Sequence, residues 1–362
     1  MASPINHGVV KLAVGEAKLS TIPIPKIRDG YLLVKTAAVA LNPTDWQTVD
    51  EENPPSTPPL LLGCDAAGVV VEVGKGINKP WKKGDRIACI AHGGNEVEPT
   101  DGSFAEYILM KGDIGIHLPD HVSFEQGAAI ASGINTAALS MYSPKTLGFQ
   151  VPTFPIQQSS GEEKFVLIYG GSSASGTIAI QFAKLSGFTV ITTASRRNFD
   201  MLKGFGADHV FDYRDPNCGK VIRELTKNKL RHVLDTIAVP ESAQICADAL
   251  SSSSDAGPLL YVNLLGIQNP RSDVESRFML GYTASGERFV IEGQEWPASP
   301  EDFDLAKTFV ALSEKLLEAN LIKNHPIKLM EGGLGGILDG MQYLKDGKVS
   351  GVKVVYQVGD AL

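Results

Sequence analysis

The chain has 362 residues, enough for two ordinary domains, and its 20% charged and 43% hydrophobic residues describe a globular core rather than a disordered chain. Lys plus Arg number 33 against 41 Asp plus Glu, a net charge of −8 with no basic stripe, which argues against a nucleic-acid partner. The N-terminus lacks an apolar signal core, and no stretch reaches the roughly 20 apolar residues of a spanning helix, so a cytoplasmic protein with no membrane contact is expected.

The first third reads as β-rich. GVVKLAV, GYLLVKTAAVAL, DAAGVVVEVG, DRIACIA and SFAEYILM are short apolar runs rich in Val, Ile and Ala. Turn clusters separate them: PIPKIRDG, NPTD, DEENPPSTPPLLLG, KKGD and HGGNEVEPTDG. This spacing predicts a small barrel. SFEQGAAIASGINTAALSMY is then helical in period, with Ser123 as N-cap and Glu125 in the first turn. The polar, proline-containing PKTLGFQVPTFPIQQSSGEEK reads as an inserted surface loop.

From Lys164 strands and helices alternate. FVLIYGG, FTVITTAS, HVFDYRD, RHVLDTIA and GPLLYVNLLG are strands. TIAIQFAKLSG, NFDMLKGFGA, PNCGKVIRELTKNKL and SAQICADAL are helices, with Gly187 and Gly206 ending the first two. The alternation predicts a doubly wound parallel sheet. The tail supplies two more helices, DLAKTFVALSEKLLEANLIK and GGILDGMQYLKDGK, and a last strand, SGVKVVYQV.

The turn after FVLIY carries the sharpest chemical signal. A strand, a small-residue turn (Gly171, Ser172, Ser173, Ala174, Ser175) and a helix starting near Gly176 aim backbone N–H groups at an anion such as a pyrophosphate. Gly171 and Gly176 fill the first and third glycine places of a dinucleotide fingerprint, while Ser173 fills the second. The next strand ends in Ser195, Arg196, Arg197 and Asn198, where an NAD site would carry an acid. Two cations and a hydroxyl suit the 2′-phosphate of NADPH. Tyr213, at the end of the third strand, is a candidate face for the adenine.

GDRI, DGSFAEY, the stretch ending QFAKLSG and the late DGKVSGVKVV, in that order, resemble the medium-chain dehydrogenase/reductase superfamily over essentially the whole chain. More narrowly, NPTDW, GINTAALSMY, YGGSSASG, SRRNFD, VFDYRDPN, TKNKLRHVLD and EGQEWP resemble the fungal trans-acting enoyl reductases of polyketide pathways, of the lovastatin type. The resemblance implies an α/β chain: a chaperonin-10-like β-barrel domain from residues 1–130 and 300–362, and a Rossmann NADPH-binding domain from 131–299, with the active cleft between them. It also implies a monomer, an acyl carrier-bound polyketide thioester as substrate, and a highly reducing polyketide synthase as transient partner. A free-standing quinone or enone reductase and a non-redox pathway partner of the same fold remain alternatives.

Zinc-dependent relatives in the superfamily hold a catalytic metal; here the matching places are Asn42, Cys64 and Ser132, a poor zinc set. The other cysteines, Cys89, Cys218 and Cys246, form no cluster, so no metal is expected. Without a Lewis acid, reduction of an activated C=C is the better-suited chemistry. By resemblance, Thr136 is a catalytic candidate, hydrogen-bonding the thioester carbonyl or the nicotinamide ribose. Gln47, the second catalytic candidate, stands where lovastatin-type relatives carry a lysine; it keeps two donors but no acidity. Thr44, Asp45, Gln47, Leu264, Val349 and Ser350 join the cofactor contacts. Thr136, Met141, Tyr142, Gly281, Tyr282, Thr283, Ala284 and Ser285 are the candidate substrate contacts, the last five in a glycine-flanked wall around a variable acyl chain.

Overall fold

The computed structural model describes residues 5–52, 59–157, 163–291 and 293–359. Parts of three sequence features, namely 53–58 of the proline-rich turn, 158–162 of the inserted loop and Glu292 of EGQEWP, lie outside the described residues. The chain divides into two compact units: Met1–Ser132 with Tyr282–Glu318 and Asn324–Leu362, and Gly133–Gly281 with Ala319–Lys323. The boundaries differ from those expected. Residues 282–299 join the first unit because the Tyr282 ring stacks on His92 at 3.7 Å and Glu287 accepts from the Tyr31 hydroxyl at 2.7 Å. Residues 319–323 join the second because Gln181 bonds the Lys323 backbone twice, donating to its carbonyl at 2.9 Å and accepting from its N–H at 2.7 Å.

In the first unit Tyr31–Ala40 is the organising strand. It pairs antiparallel with Asp65–Val73, with Tyr107–Lys111 along its first half, and with Lys353–Gln357 at its end. The sheet runs Ile327–Met330, Lys353–Gln357, Tyr31–Ala40, Asp65–Val73, Arg86–Ile90, Ile116–His117. The C-terminal strand is thus built into the sheet begun by the N-terminal third. A second sheet of three strands, Glu16–Ile22, Asn6–Ala13 and Leu60–Leu61, is bridged to the rest between Gly8 and Ala105. The expected β-rich start is therefore present, but NPTD is not a free turn. Asn42 is the N-cap of a helix, Pro43–Asp50, with Pro at its first position, and the Asp45 carboxylate accepts the Asn42 N–H at 2.6 Å. The same residues signal a turn and a helix start, and here the helix wins. At its other end the buried Lys11 ammonium donates to the carbonyls of Thr48 (2.6 Å) and Glu51 (2.9 Å), satisfying acceptors that have no intrahelical donor.

The second unit is a six-stranded parallel sheet. In chain order its strands are Phe165–Tyr169, Thr189–Ala194, His209–Asp212, His232–Asp235, Leu259–Asn263 and Val274–Phe278. Their spatial order is third, second, first, fourth, fifth, sixth, the doubly wound arrangement whose switch point lies beside the first strand. Val274–Phe278 was not legible as a strand, because VESRF is short and carries Glu275 and Arg277. One face of the sheet buries Leu167, Ile191, Val233, Leu259 and Tyr261 against Ile222 and Cys246 of the crossover helices. At the end of the fourth strand the fully buried Asp235 accepts from Tyr261 (2.8 Å), Ser242 (2.5 Å) and the N–H groups of Ile237 and Ala238 (2.9 Å each), so both carboxyl oxygens are hydrogen-bonded. The expected long helix from Ser123 divides into Phe124–Ala137 and a π-turn, Ala138–Tyr142. Ser123 caps it as expected, accepting from the Gln126 N–H at 3.3 Å while the Gln126 side chain accepts the Ser123 N–H at 2.9 Å.

Helix Ala174–Leu185 packs on the first strand only because residue 176 lacks a side chain. A Cβ there would stand 2.5 Å from the Gly170 carbonyl oxygen and 2.8 Å from the Gly171 Cα, both backbone atoms that cannot yield alone. Gly176→Ala is expected to destabilise by about 1–3 kcal/mol, read as a lower thermal midpoint. Gly204→Ala, with nothing within 4 Å of its Cβ, is the control and should be neutral or slightly stabilising.

Candidate functional site

In the second unit the strand-to-helix turn is made by Gly170, at φ +77°, one residue before the glycine singled out from sequence. The strand-final glycine pair was the available signal for it. Gly171 is needed for packing instead, since a Cβ would meet the Thr192 hydroxyl at 2.0 Å. Ser173, in the place of the second glycine, turns its hydroxyl inward as the N-cap, accepting from the Gly176 N–H at 2.9 Å and contacting Thr236 Oγ1 at 2.9 Å. The helix starts at Ala174, two residues earlier than expected. The N–H groups of Ala174 and Ser175, in its first turn, have no intrahelical acceptor. With the dipole of a 12-residue helix behind them, they form a cradle that fits a dinucleotide phosphate.

The ends of the neighbouring strands add their side chains. Ser195 caps the strand end, buried, with its hydroxyl 3.5 Å from that of Tyr213; Asn198 is buried beneath the same turn. Arg196 and Arg197 are exposed, and Arg196 Nε lies 3.3 Å from the Asp212 carboxylate. Tyr213 is 37% exposed; its ring tilts toward Tyr169, centroids 6.4 Å apart, and the Arg214 guanidinium lies over it, 5.3 Å from the centroid. Leu264 follows directly on the fifth strand, half-buried.

The first unit holds a separate polar cluster. Lys353 and Asp65, both buried, form an ion pair at 2.9 Å. Lys353 also donates to Asn42 Oδ1 at 2.5 Å and lies 3.3 Å from Ser132 Oγ, while Asn42 Nδ2 and Ser132 Oγ donate to Asp65 at 2.8 and 2.7 Å. Beside it runs a chain of weaker contacts: Thr44 Oγ1 to Cys64 Sγ at 3.5 Å, and Cys64 Sγ to the Tyr282 hydroxyl at 3.2 Å. Burial pushes the Cys64 thiol and the Tyr282 phenol well above their ordinary values, so both hold their protons at neutral pH. Burial also lifts the Asp45 carboxyl to about 7, against the opposing pull of the Asn42 N–H and the Lys353 ammonium. Sequence reasoning missed Lys353 and the link from Cys64 to Tyr282, which lie 218 residues apart.

The structure revises several expected contacts. Asp45 turns its carboxylate inward as the helix cap instead of outward to a cofactor. Met141 is fully buried, and the Tyr142 hydroxyl is engaged by the Phe182 carbonyl (3.0 Å) and Ser186 (2.7 Å); both belong to the core, not to a substrate surface. Gly281–Ser285 is a 3-10 turn rather than an open loop, with the Gly281 carbonyl accepting from Asn135 Nδ2 at 2.9 Å. Within it Ala284 is buried, while Tyr282, Thr283 and Ser285 are partly accessible. Thr136 is half-buried near the end of its helix, and its carbonyl accepts from Ser140 Oγ at 2.6 Å. Thr44 is exposed, Gln47 is half-buried three residues on along the same helix face, and Val349 and Ser350 lie in the loop before the last strand.

Residues 28–120 match the alcohol dehydrogenase GroES-like domain and residues 174–277 the family described as zinc-binding dehydrogenase. The trans-enoyl reductase ACTTS2 of Alternaria alternata is 44% identical over 353 residues, covering 97% of this chain and 98% of its own. The trans-enoyl reductase resD of Aspergillus sclerotiorum is 42% identical over 363 residues, covering 97% and 100%. In fold, the CurK enoyl reductase superposes at a TM-score of 0.75 with 19% identity, covering 97% and 99% of the two chains. The quinone oxidoreductase of Coxiella burnetii superposes at 0.70 with 23% identity, covering 98% and 100%. A GroES-like unit and a six-stranded Rossmann sheet define a medium-chain dehydrogenase/reductase, a superfamily whose Rossmann unit implies a nicotinamide cofactor. Within it, the chain belongs to the fungal trans-enoyl reductases.

The zinc of the matched family's description does not fit the residues present. Asn42 Oδ1 and Ser132 Oγ are occupied by Lys353 and Asp65, and the Cys64 thiol is held protonated by burial. Among the described residues no group of three or more His, Cys, Asp and Glu is placed to hold a metal ion.

Removing the ammonium by Lys353→Met should destabilise by about 3–5 kcal/mol, because it strands the Asp65 carboxylate in the interior; urea denaturation reads the loss. The Asp45 carboxyl binds its proton more tightly folded than unfolded, so it contributes a stability that falls as pH rises from about 4 to about 7. Asp45→Asn should flatten that slope in melts taken across the range.

Proposed function

We propose that the protein is an NADPH-dependent, zinc-independent enoyl reductase that acts in trans on α,β-unsaturated polyketide thioesters. Its substrate is carried on the acyl carrier of a separate highly reducing polyketide synthase, which it meets transiently as a cytoplasmic monomer. The observation that carries this reading is full-length identity of 42–44% to trans-enoyl reductases.

When bound, the reduced nicotinamide supplies a hydride to the β-carbon of the enoyl thioester. The rest falls to this chain. The N–H groups of Ala174 and Ser175 and the turn Gly171–Ser173 hold the pyrophosphate. Ser195, Arg196 and Arg197 hold the 2′-phosphate, Asn198 steadies their turn, and Tyr213 covers the adenine. Thr44, Gln47, Leu264, Val349 and Ser350 orient the nicotinamide half, with the Gln47 amide acting as a positioning donor. Thr136 donates to the thioester carbonyl, where negative charge develops as the C=C bond is reduced. Tyr282, Thr283 and Ser285 border the acyl chain.

The assay is NADPH consumption with a crotonyl-pantetheine thioester, beside NADH and a simple quinone. NADPH-dependent loss of the thioester double bond is expected. Quinone reduction with the thioester untouched would overturn the reading in favour of a free-standing quinone reductase. Replacing Arg196 and Arg197 together by Ala should raise the KM for NADPH roughly 10–100-fold, from the loss of about 1.5–3 kcal/mol of charge-assisted bonding, and leave that for NADH nearly unchanged.

A further inference from the structure

Reduction of an enoyl thioester needs a proton as well as a hydride, and the candidate donors in the first unit can be taken in turn. The Gln47 amide donates hydrogen bonds but is not acidic enough to give up a proton. The Lys353 ammonium is held by Asp65, Asn42 and Ser132, and the Asp45 carboxyl is turned inward as a helix cap. His92 is pushed down by burial to about 3 and is therefore neutral at working pH.

Tyr282 is placed differently. Its ring is fixed by stacking on His92, 9° from parallel, and by the edge of Phe289 at 6.0 Å. Neither contact needs its hydroxyl. The hydroxyl instead meets the Cys64 thiol, which in turn meets Thr44 Oγ1, and Thr44 is exposed at the first turn of its helix. Thr44 also reaches the phenol directly and the Asp45 carboxyl meets the thiol, so a cluster of protic groups connects solvent to a fixed phenol, with Cys64 at its centre. A thiol is a weak hydrogen-bond partner, so this cluster adds little to stability; what it offers is protons that can be passed on.

We propose that Tyr282 is the proton donor of the reduction and is recharged from solvent through Cys64 and Thr44. This rests on the enoyl reductase reading above. The β-carbon takes the hydride from the reduced nicotinamide, and the π pair moves onto the thioester as an enolate. The enolate pair then takes the phenolic proton at the α-carbon, breaking the Tyr282 O–H bond and leaving a phenolate. The Cys64 thiol passes its proton to that phenolate, and the Thr44 hydroxyl relays one from water to the thiolate. One hydride and one proton are consumed, and the three side chains end as they began.

The test is steady-state reduction of crotonyl-pantetheine by NADPH with wild type, Tyr282→Phe, Cys64→Ala and Cys64→Ser. Tyr282→Phe keeps the stacked ring. Its kcat should fall about 100-fold or more, with the thioester KM and NADPH binding unchanged within roughly threefold. Its solvent isotope effect on kcat should rise, since proton delivery becomes limiting. Cys64→Ala should be slow and Cys64→Ser should restore most of the rate, an order that a packing role would not produce. A Tyr282→Phe enzyme within about threefold of the wild-type kcat overturns the proposal, as do equal rates for the two Cys64 variants; should Tyr282→Phe not fold, the Cys64 pair decides alone. A wild type that reduces no thioester overturns the enoyl reductase reading and the relay with it, whereas an active wild type with an equally active Tyr282→Phe overturns the relay only.

Discussion

The first unit depends on neutralising one buried carboxylate. Asp65 has no exposed surface, and an ionised group there is tolerable only with a partner and with its lone pairs satisfied. Lys353 supplies the charge, and Asn42 and Ser132 supply the remaining bonds. Those four residues come from the start of a helix, the start of a strand, a second helix and the last strand. Electrostatic necessity therefore draws together parts of the chain that apolar patterning alone would not align. Cys64, next in sequence to Asp65, and Thr44, two residues after Asn42, take their positions from that anchorage.

The second unit solves a different problem, that of bringing backbone close to an anion. It does so with absent side chains. Gly170 supplies the left-handed turn, Gly171 leaves room for the Thr192 hydroxyl, and Gly176 lets helix and strand touch. Ser173 shows that a fingerprint position can change without loss of its geometry. Its side chain folds back to cap the helix, so the place where a phosphate approaches remains lined by backbone.

Much of this was legible in the sequence, and the misses share causes. Strand-helix alternation from Phe165 onward, the Ser123 cap and the glycine turn are local patterns, written within a few residues of where they act. The helix after Asn42 was read as a turn because Asn-Pro opens both. The edge strand Val274–Phe278 escaped because its Glu and Arg hide the apolar alternation. Met141 and Tyr142 were expected as substrate contacts by resemblance, but they lie in a buried π-turn. The Cys64–Tyr282 and Asp65–Lys353 contacts have no local signature at all. They join residues hundreds of positions apart, and only the completed sheet brings them within reach.

Helix Pro43–Asp50 is fastened at both ends, by the Asn42 contacts at one and by the Lys11 ammonium at the other. Position 47 sits between these fastenings as in a socket: its backbone is set by neighbours that do not involve its own side chain. The side chain at position 47 can therefore be exchanged without refitting the scaffold. What that position presents to its surroundings is thus separable from what holds the helix in place.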